Sequence, residues 1–92
     1  MSEPRARRRL VIHGRVQGVA FRDATVSAAR RAGVAGWVRN RPDGTVEAVL
    51  EGPPDGVARV ERFCSEGPPL ARVERVDGTD EAPEGLAGFE VR

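Results

Sequence analysis

Gly14-Arg15-Val16-Gln17-Gly18-Val19-Ala20-Phe21-Arg22 joins two hydrophobic periods, and the change of period across it decides the fold. Before it, Arg8 to His13 alternates, with Leu10 and Ile12 on one face and Val11 and His13 on the other, which predicts a strand ending at Gly14. After it, Phe21, Ala24, Thr25, Ala28, Ala29 and Ala32 recur along one helical face, and Gly33 supplies a stop. The stretch is therefore a strand-to-helix loop with two glycines.

Working outward, Ala35 to Asn40 reads as a second strand around Trp37 and Val38, and Thr45 to Glu51 as a third with Val46, Ala48 and Leu50 on one face. Arg41-Pro42-Asp43-Gly44 between them has the chemistry of a tight turn, so these strands should be antiparallel neighbours. Pro53-Pro54-Asp55 starts a second helix, with Asp55 as a candidate cap and Val57, Val60, Phe63 and Cys64 on its apolar side. Gly67-Pro68-Pro69 ends it. A strand over Arg72 to Asp77 follows, and Phe89 to Val91 adds a short closing strand.

The order β-α-β-β-α-β has one compact solution: an α+β, ferredoxin-like sandwich, with two helices on one face of an antiparallel sheet and water on the other. In that topology the first two strands run parallel with one strand between them. Gly14–Arg22 and Asn40 then share one edge, with backbones about 10 Å apart. Residues 1–7 are expected to form a flexible, arginine-rich lead, and residues 8–92 one domain.

Composition narrows the function classes. Ninety-two residues leave room for one core, and no apolar run is long enough for a membrane span or a secretory signal. A single cysteine, Cys64, and a single histidine, His13, supply neither a disulfide framework nor a zinc ligand set. A cytoplasmic protein is expected. Residues 1–46 hold ten arginines against three acids, a net of +7, and residues 47–92 five arginines against eleven acids, a net of −6. The first half should attract anions. The absence of lysine is explained as well by base composition as by phosphate recognition.

Unpaired backbone N–H groups in a glycine-bearing loop can form a nest, and the positive end of the following helix adds to its field. A phosphoryl group, with several oxygens, would use those donors and the Arg22 fork together. Spacing alone slightly favours a plain turn with Arg22 solvated, because the pattern is neither a Walker loop nor a dinucleotide fingerprint.

Residues 14–22 resemble the G-x-V-Q-G-V-x-F-R signature of the acylphosphatases, enzymes that hydrolyse the carboxyl-phosphate bond. Gly36-Trp37-Val38-Arg39-Asn40, with Asp43-Gly44-Thr45-Val46-Glu47 downstream, resembles the second signature of that family, and the similarity covers residues 8–92. The resemblance implies that Arg22 binds the phosphate together with the backbone amides of Arg15, Val16, Gln17, Gly18, Val19 and Ala20, supported by Gly14. It implies that Asn40 positions the attacking water, and Thr45 is a candidate hydrogen-bonding support for Asn40. Ala20 stands where family members often carry glycine or a bulky aromatic, and Arg41 where some carry threonine. The implied partners are an acyl phosphate as substrate and inorganic phosphate as product, with no metal, cofactor, membrane or nucleic acid, and a monomeric protein.

The inventory suits that chemistry. The leaving carboxylate has a conjugate acid of pKa about 4 to 5, so no general acid is required. Asn40 cannot accept a proton and must orient water, leaving a phosphate oxygen of the substrate as the proton acceptor. His13 is expected on a strand without a catalytic role, Cys64 as a small buried hydrophobe and Trp37 packed on the sheet. Glu47, Glu51, Glu74 and Glu90 are spaced like solvated strand faces.

The alternative is a non-catalytic phosphate- or RNA-binding ferredoxin-like module. RNA-binding modules stack bases on sheet aromatics, and this chain has no tyrosine and no aromatic in its first or third strand. A carrier-linked domain like that of a hydrogenase maturation factor is disfavoured, since ninety-two residues are expected to hold no partner domain.

Overall fold

The arginine run ahead of Leu10 is already strand. The computed structural model describes residues 4–92, and of the expected lead Met1 to Glu3 lie outside the described residues. The elements follow as β1 (Ala6–Arg15), α1 (Phe21–Arg31), β2 (Ala35–Asn40), β3 (Val46–Gly52), α2 (Pro54–Glu66), β4 (Arg72–Glu81) and β5 (Phe89–Val91). Ala6 and Arg7 thus belong to the sheet, which corrects the expected boundary at residue 8. The cause is pairing, because Arg7 stands opposite Glu51 on one side and Glu81 on the other.

The sheet order is β4-β1-β3-β2-β5, and β1–β3, β1–β4 and β2–β3 are antiparallel as the hairpin and crossovers require. β5 pairs parallel to β2, so the sheet is mixed once the fifth strand is added. Helix α1 lies over β2 and β5, and α2 over β1, β3 and β4. Between the layers Leu10, Ile12, Val38, Val46, Ala48 and Leu50 meet Phe21, Ala29, Val57, Val60 and Cys64, all essentially withdrawn from water. Each large aliphatic side chain buried this way contributes roughly 1.5–3 kcal/mol. Burial pushes the Cys64 thiol up to about 12, which leaves it inert.

Helix α2 is capped differently from expectation. Pro53 is its N-cap and Pro54 its first helical residue, while Asp55 lies within the first turn. Pro54 fits there because its missing N–H would have no partner anyway, and Asp55 then faces the positive helix end.

The outer face of the sheet departs most from expectation. Every residue of β3 is buried, including Glu47 and Glu51, which the alternation had placed in water. Glu51 is 0% exposed, and its carboxylate accepts hydrogen bonds from the N–H groups of Glu84, Gly85 and Leu86 at 2.9, 2.7 and 2.8 Å. Arg7 donates to Glu51 at 3.2 Å and to Glu81 at 2.9 Å. Arg9 pairs with Glu81 at 2.7 Å and with Glu47, and Arg39 pairs with Glu47 at 2.7 Å. Trp37, 8% exposed, sits among the guanidinium groups of Arg9, Arg39 and Arg92 at 5.6, 5.9 and 5.0 Å from its ring. The face that periodicity assigned to water is covered by an arginine–glutamate lattice and by residues 84–86.

Burial alone would raise the Glu51 carboxyl, but the three amides and Arg7 outweigh it and hold it at about 2, against an ordinary 4.5. Because the folded value is depressed, the stabilisation is complete above pH 4.5 and fades as pH falls towards 2; over that window it amounts to about 3 kcal/mol. Urea unfolding of Glu51→Gln is expected to show a loss of that order at pH 7 that narrows sharply by pH 2.5. An equal loss at both pH values would contradict this assignment.

Candidate active site

The site begins where β1 is forced to stop. The β1–β4 register shifts between His13 and Gly14, and Gly14 has φ of 126°. A Cβ at Gly14 would lie 2.1 Å from the Arg72 carbonyl oxygen, so only glycine passes. Beyond Arg15, Val16 and Val19 turn their side chains into the core, as does Phe21 at the head of α1. Gly18 has φ of 73°, and Ala20, the N-cap of α1, is left-handed at φ 62°, ψ 26° with no side-chain cap. An alanine there costs roughly 1–2 kcal/mol.

The result is a backbone that buries side chains while leaving its donors free. Among the described residues none of the N–H groups from Val16 to Asp23 donates to a protein acceptor, and the first to do so is Ala24, to the Ala20 carbonyl at 3.1 Å. Arg15 closes β1 opposite Arg72, and the loop leaves the sheet at Val16.

Gln17 ties this loop to the β2–β3 hairpin. Its Nε2 donates to the carbonyl oxygens of Arg41 at 2.8 Å and Thr45 at 2.9 Å, while the Arg41 N–H donates to the Thr45 carbonyl at 2.9 Å. The Thr45 hydroxyl does not reach Asn40. It donates to Asp43 Oδ1 at 2.6 Å, which also accepts the Thr45 N–H at 3.0 Å. Thr45 therefore steadies the turn after Asn40 rather than its side chain, because Asp43 is two residues away and already aligned.

Loop and strand end enclose a concavity of about 80 Å³ lined by Val16, Gly18, Ala20, Phe21, Arg22, Asp23 and Asn40. At about 30 Å³ per water molecule this suits one phosphoryl group. The Arg22 guanidinium makes no hydrogen bond or ion pair among the described residues. Asn40 Oδ1 is buried in the site without a hydrogen-bond partner, a costly state that a bound water would relieve. Arg22, Asn40, Val16, Gly18 and Ala20 are brought together as expected. The side chains of Gln17 and Val19 brace the loop from the hairpin and the core, and Gly14, Arg15 and Thr45 lie outside the pocket lining. Phe21 and Asp23 were not anticipated, although both flank Arg22 in the first helical turn. His13 is on the outer sheet face, 2.9 Å from Asp77. Among the described residues no three His, Cys, Asp or Glu side chains gather into a metal site.

A family model for acylphosphatases matches residues 8–91. The chain belongs to the acylphosphatase family. It is 58% identical over 87 residues to an acylphosphatase of Thermococcus kodakarensis, covering 95% of this chain and 96% of that one. It is 60% identical over 80 residues to an acylphosphatase of Gloeobacter violaceus, covering 87% and 86%. The crystal structure of the acylphosphatase from Bacillus subtilis superposes with a TM-score of 0.91 at 34% identity, covering 95% of this chain and 98% of that one.

Removing the Gln17 clamp tests how this acylphosphatase-family loop is held. Gln17→Ala is expected to lower stability by about 1–2 kcal/mol, two hydrogen bonds' worth. It should also weaken inorganic phosphate binding severalfold in calorimetry at a temperature where the variant is fully folded. Unchanged phosphate affinity would show that the loop keeps its shape without the clamp.

Proposed function

We propose that this chain hydrolyses acyl phosphates to a carboxylate and inorganic phosphate. The observation that carries the reading is the placement of the unpartnered Asn40 Oδ1 in one small pocket with Arg22 and a loop of free N–H groups. The non-bridging phosphoryl oxygens take hydrogen bonds from the Val16 to Ala20 amides and from the Arg22 guanidinium. A water donates one hydrogen bond to Asn40 Oδ1 and directs its lone pair at phosphorus. Its oxygen forms the new P–O bond as the bond from phosphorus to the acyl oxygen breaks, and the acyl oxygen leaves with the bonding pair as a carboxylate. The water proton passes to a phosphate oxygen of the substrate. Positioning and charge stabilisation carry the step, since phosphoryl transfer asks little covalent chemistry of a protein.

The RNA-binding alternative is not favoured. The sheet face on which such modules stack bases is filled here by arginine–glutamate pairs, and its one aromatic, Trp37, is almost covered. The protein acts as a monomer in the cytoplasm, with no cofactor and no nucleic acid or membrane partner. The outer edge of β4 supports the monomer, since it carries Glu74, Arg75, Asp77, Asp80 and Glu81 and a register break, features that discourage edge-to-edge pairing. One buried, unpaired thiol suits a reducing compartment.

Benzoyl phosphate is expected to be hydrolysed in the presence of a chelator, with inorganic phosphate as a competitive inhibitor. Arg22→Ala should lower kcat/KM by about 100- to 1,000-fold and weaken phosphate inhibition. Asn40→Ala should lower kcat to a similar extent and leave phosphate inhibition nearly intact. Full turnover in Asn40→Ala would remove the water-positioning role.

A further inference from the structure

Of the residues that line the pocket, Asp23 is the one whose charge opposes the ligand. It is the third residue of α1 and is exposed. Among the described residues its carboxylate has no hydrogen-bond or ion-pair partner, although Arg22 stands beside it in the same wall. The other acids in the first half of the chain are Glu3, outside the described residues, and Asp43, which is engaged by Thr45 and by Arg41 at 3.7 Å. A segment otherwise rich in arginine thus places an unengaged carboxylate in the wall of its own anion pocket.

An acid in a first helical turn ordinarily stabilises the helix by facing its positive end. Asp55 does so in α2, at the opposite end of the sheet, because β3 runs antiparallel to β1. At α1 that end is already committed. The N–H groups from Val16 to Asp23 are the open donors of the site, and Asp23 contributes its own. Bonds from Cα to Cβ tilt towards the N-terminus of a helix, so the Asp23 carboxylate leans towards the same end. A bound phosphoryl group and Asp23 therefore meet at one helix terminus with like charge.

We infer that Asp23 sets the affinity of the pocket for the phosphoryl group by repulsion, so that inorganic phosphate is released rather than retained. The inference rests on the phosphoryl reading of the pocket. Substrate and product bring the same charged group to it, and open amides, a helix end and a guanidinium hold both. Phosphate left in place blocks the next turnover. A fixed negative charge in the wall weakens both complexes alike, and binding that is uniform along the reaction lowers KM without raising kcat, so its loss does not lower kcat.

The test is calorimetry with inorganic phosphate. At low salt Asp23→Asn should bind it about three- to tenfold more tightly than the wild type, and added salt should narrow the difference, as for any exposed like-charge contact. Asp23→Glu keeps the charge and should bind close to the wild type. Asp55→Asn removes the corresponding charge from the other helix and should leave phosphate affinity unchanged. Damage to the fold would weaken binding, so tightening separates the charge effect from a structural one. In turnover of benzoyl phosphate, Asp23→Asn should lower KM and the phosphate inhibition constant by similar factors without raising kcat. Phosphate affinity that is unchanged or weaker in Asp23→Asn, or an equal tightening in Asp55→Asn, overturns the inference. If phosphate binds but benzoyl phosphate is not hydrolysed, the proposed function fails while calorimetry still decides the role of Asp23. If neither the wild type nor Asp23→Asn binds phosphate, both readings fall.

Discussion

Backbone N–H groups that find no acceptor are costly, and the turn between β1 and α1 keeps a run of them open. The rest of the molecule is arranged to hold that turn. Val16, Val19 and Phe21 pin it to the core by their side chains, Gly14 lets the chain leave the sheet beside the Arg72 carbonyl, and Gln17 fastens it to the neighbouring hairpin. Left-handed Ala20 adds local strain, as positions serving a ligand commonly do. A flexible loop would satisfy its amides internally or with water. Here the donors stay aligned because the side chains beneath them cannot move.

Stability to offset that strain comes from both faces of the sheet. The helix-covered face is an ordinary aliphatic core. The other face relies on Arg7, Arg9 and Arg39 shared among Glu47, Glu51 and Glu81, with each acid bridging to more than one partner. Such a network is worth more than isolated surface pairs, because ordering one side chain serves several contacts. Glu51 also joins distant parts of the chain, since it holds the segment that returns from β4 to β5. The closing strand can then add to β2 in parallel.

Much of the fold was legible because its boundaries are local. Gly33, the Pro42-Asp43-Gly44 turn and Pro53-Pro54 mark breaks wherever the surrounding structure lies, and the change of period at Phe21 separates strand from helix without tertiary information. The boundary at Arg7 and the burial of Glu47 and Glu51 were hidden because they depend on partners far along the chain. Glu51 meets amides 33 to 35 residues away. An arginine run reads as a solvated lead until opposing carboxylates are known. In the site, Arg22 and Asn40 were identifiable from their motifs, and the topology accounts for their meeting. The clamp formed by the Gln17 side chain was not, since its acceptors are carbonyl oxygens of a hairpin 24 and 28 residues downstream. Nor does alanine at position 20 advertise a left-handed backbone.

Trp37 is the one indole in the sequence, and it occupies the strand that ends at Asn40 yet faces away from the pocket, beneath Arg9, Arg39 and Arg92. Its emission is therefore a built-in optical gauge of the charged outer layer. Loosening of that layer by acid or salt will register in the fluorescence spectrum, whereas events confined to the pocket leave the chromophore's surroundings as they were.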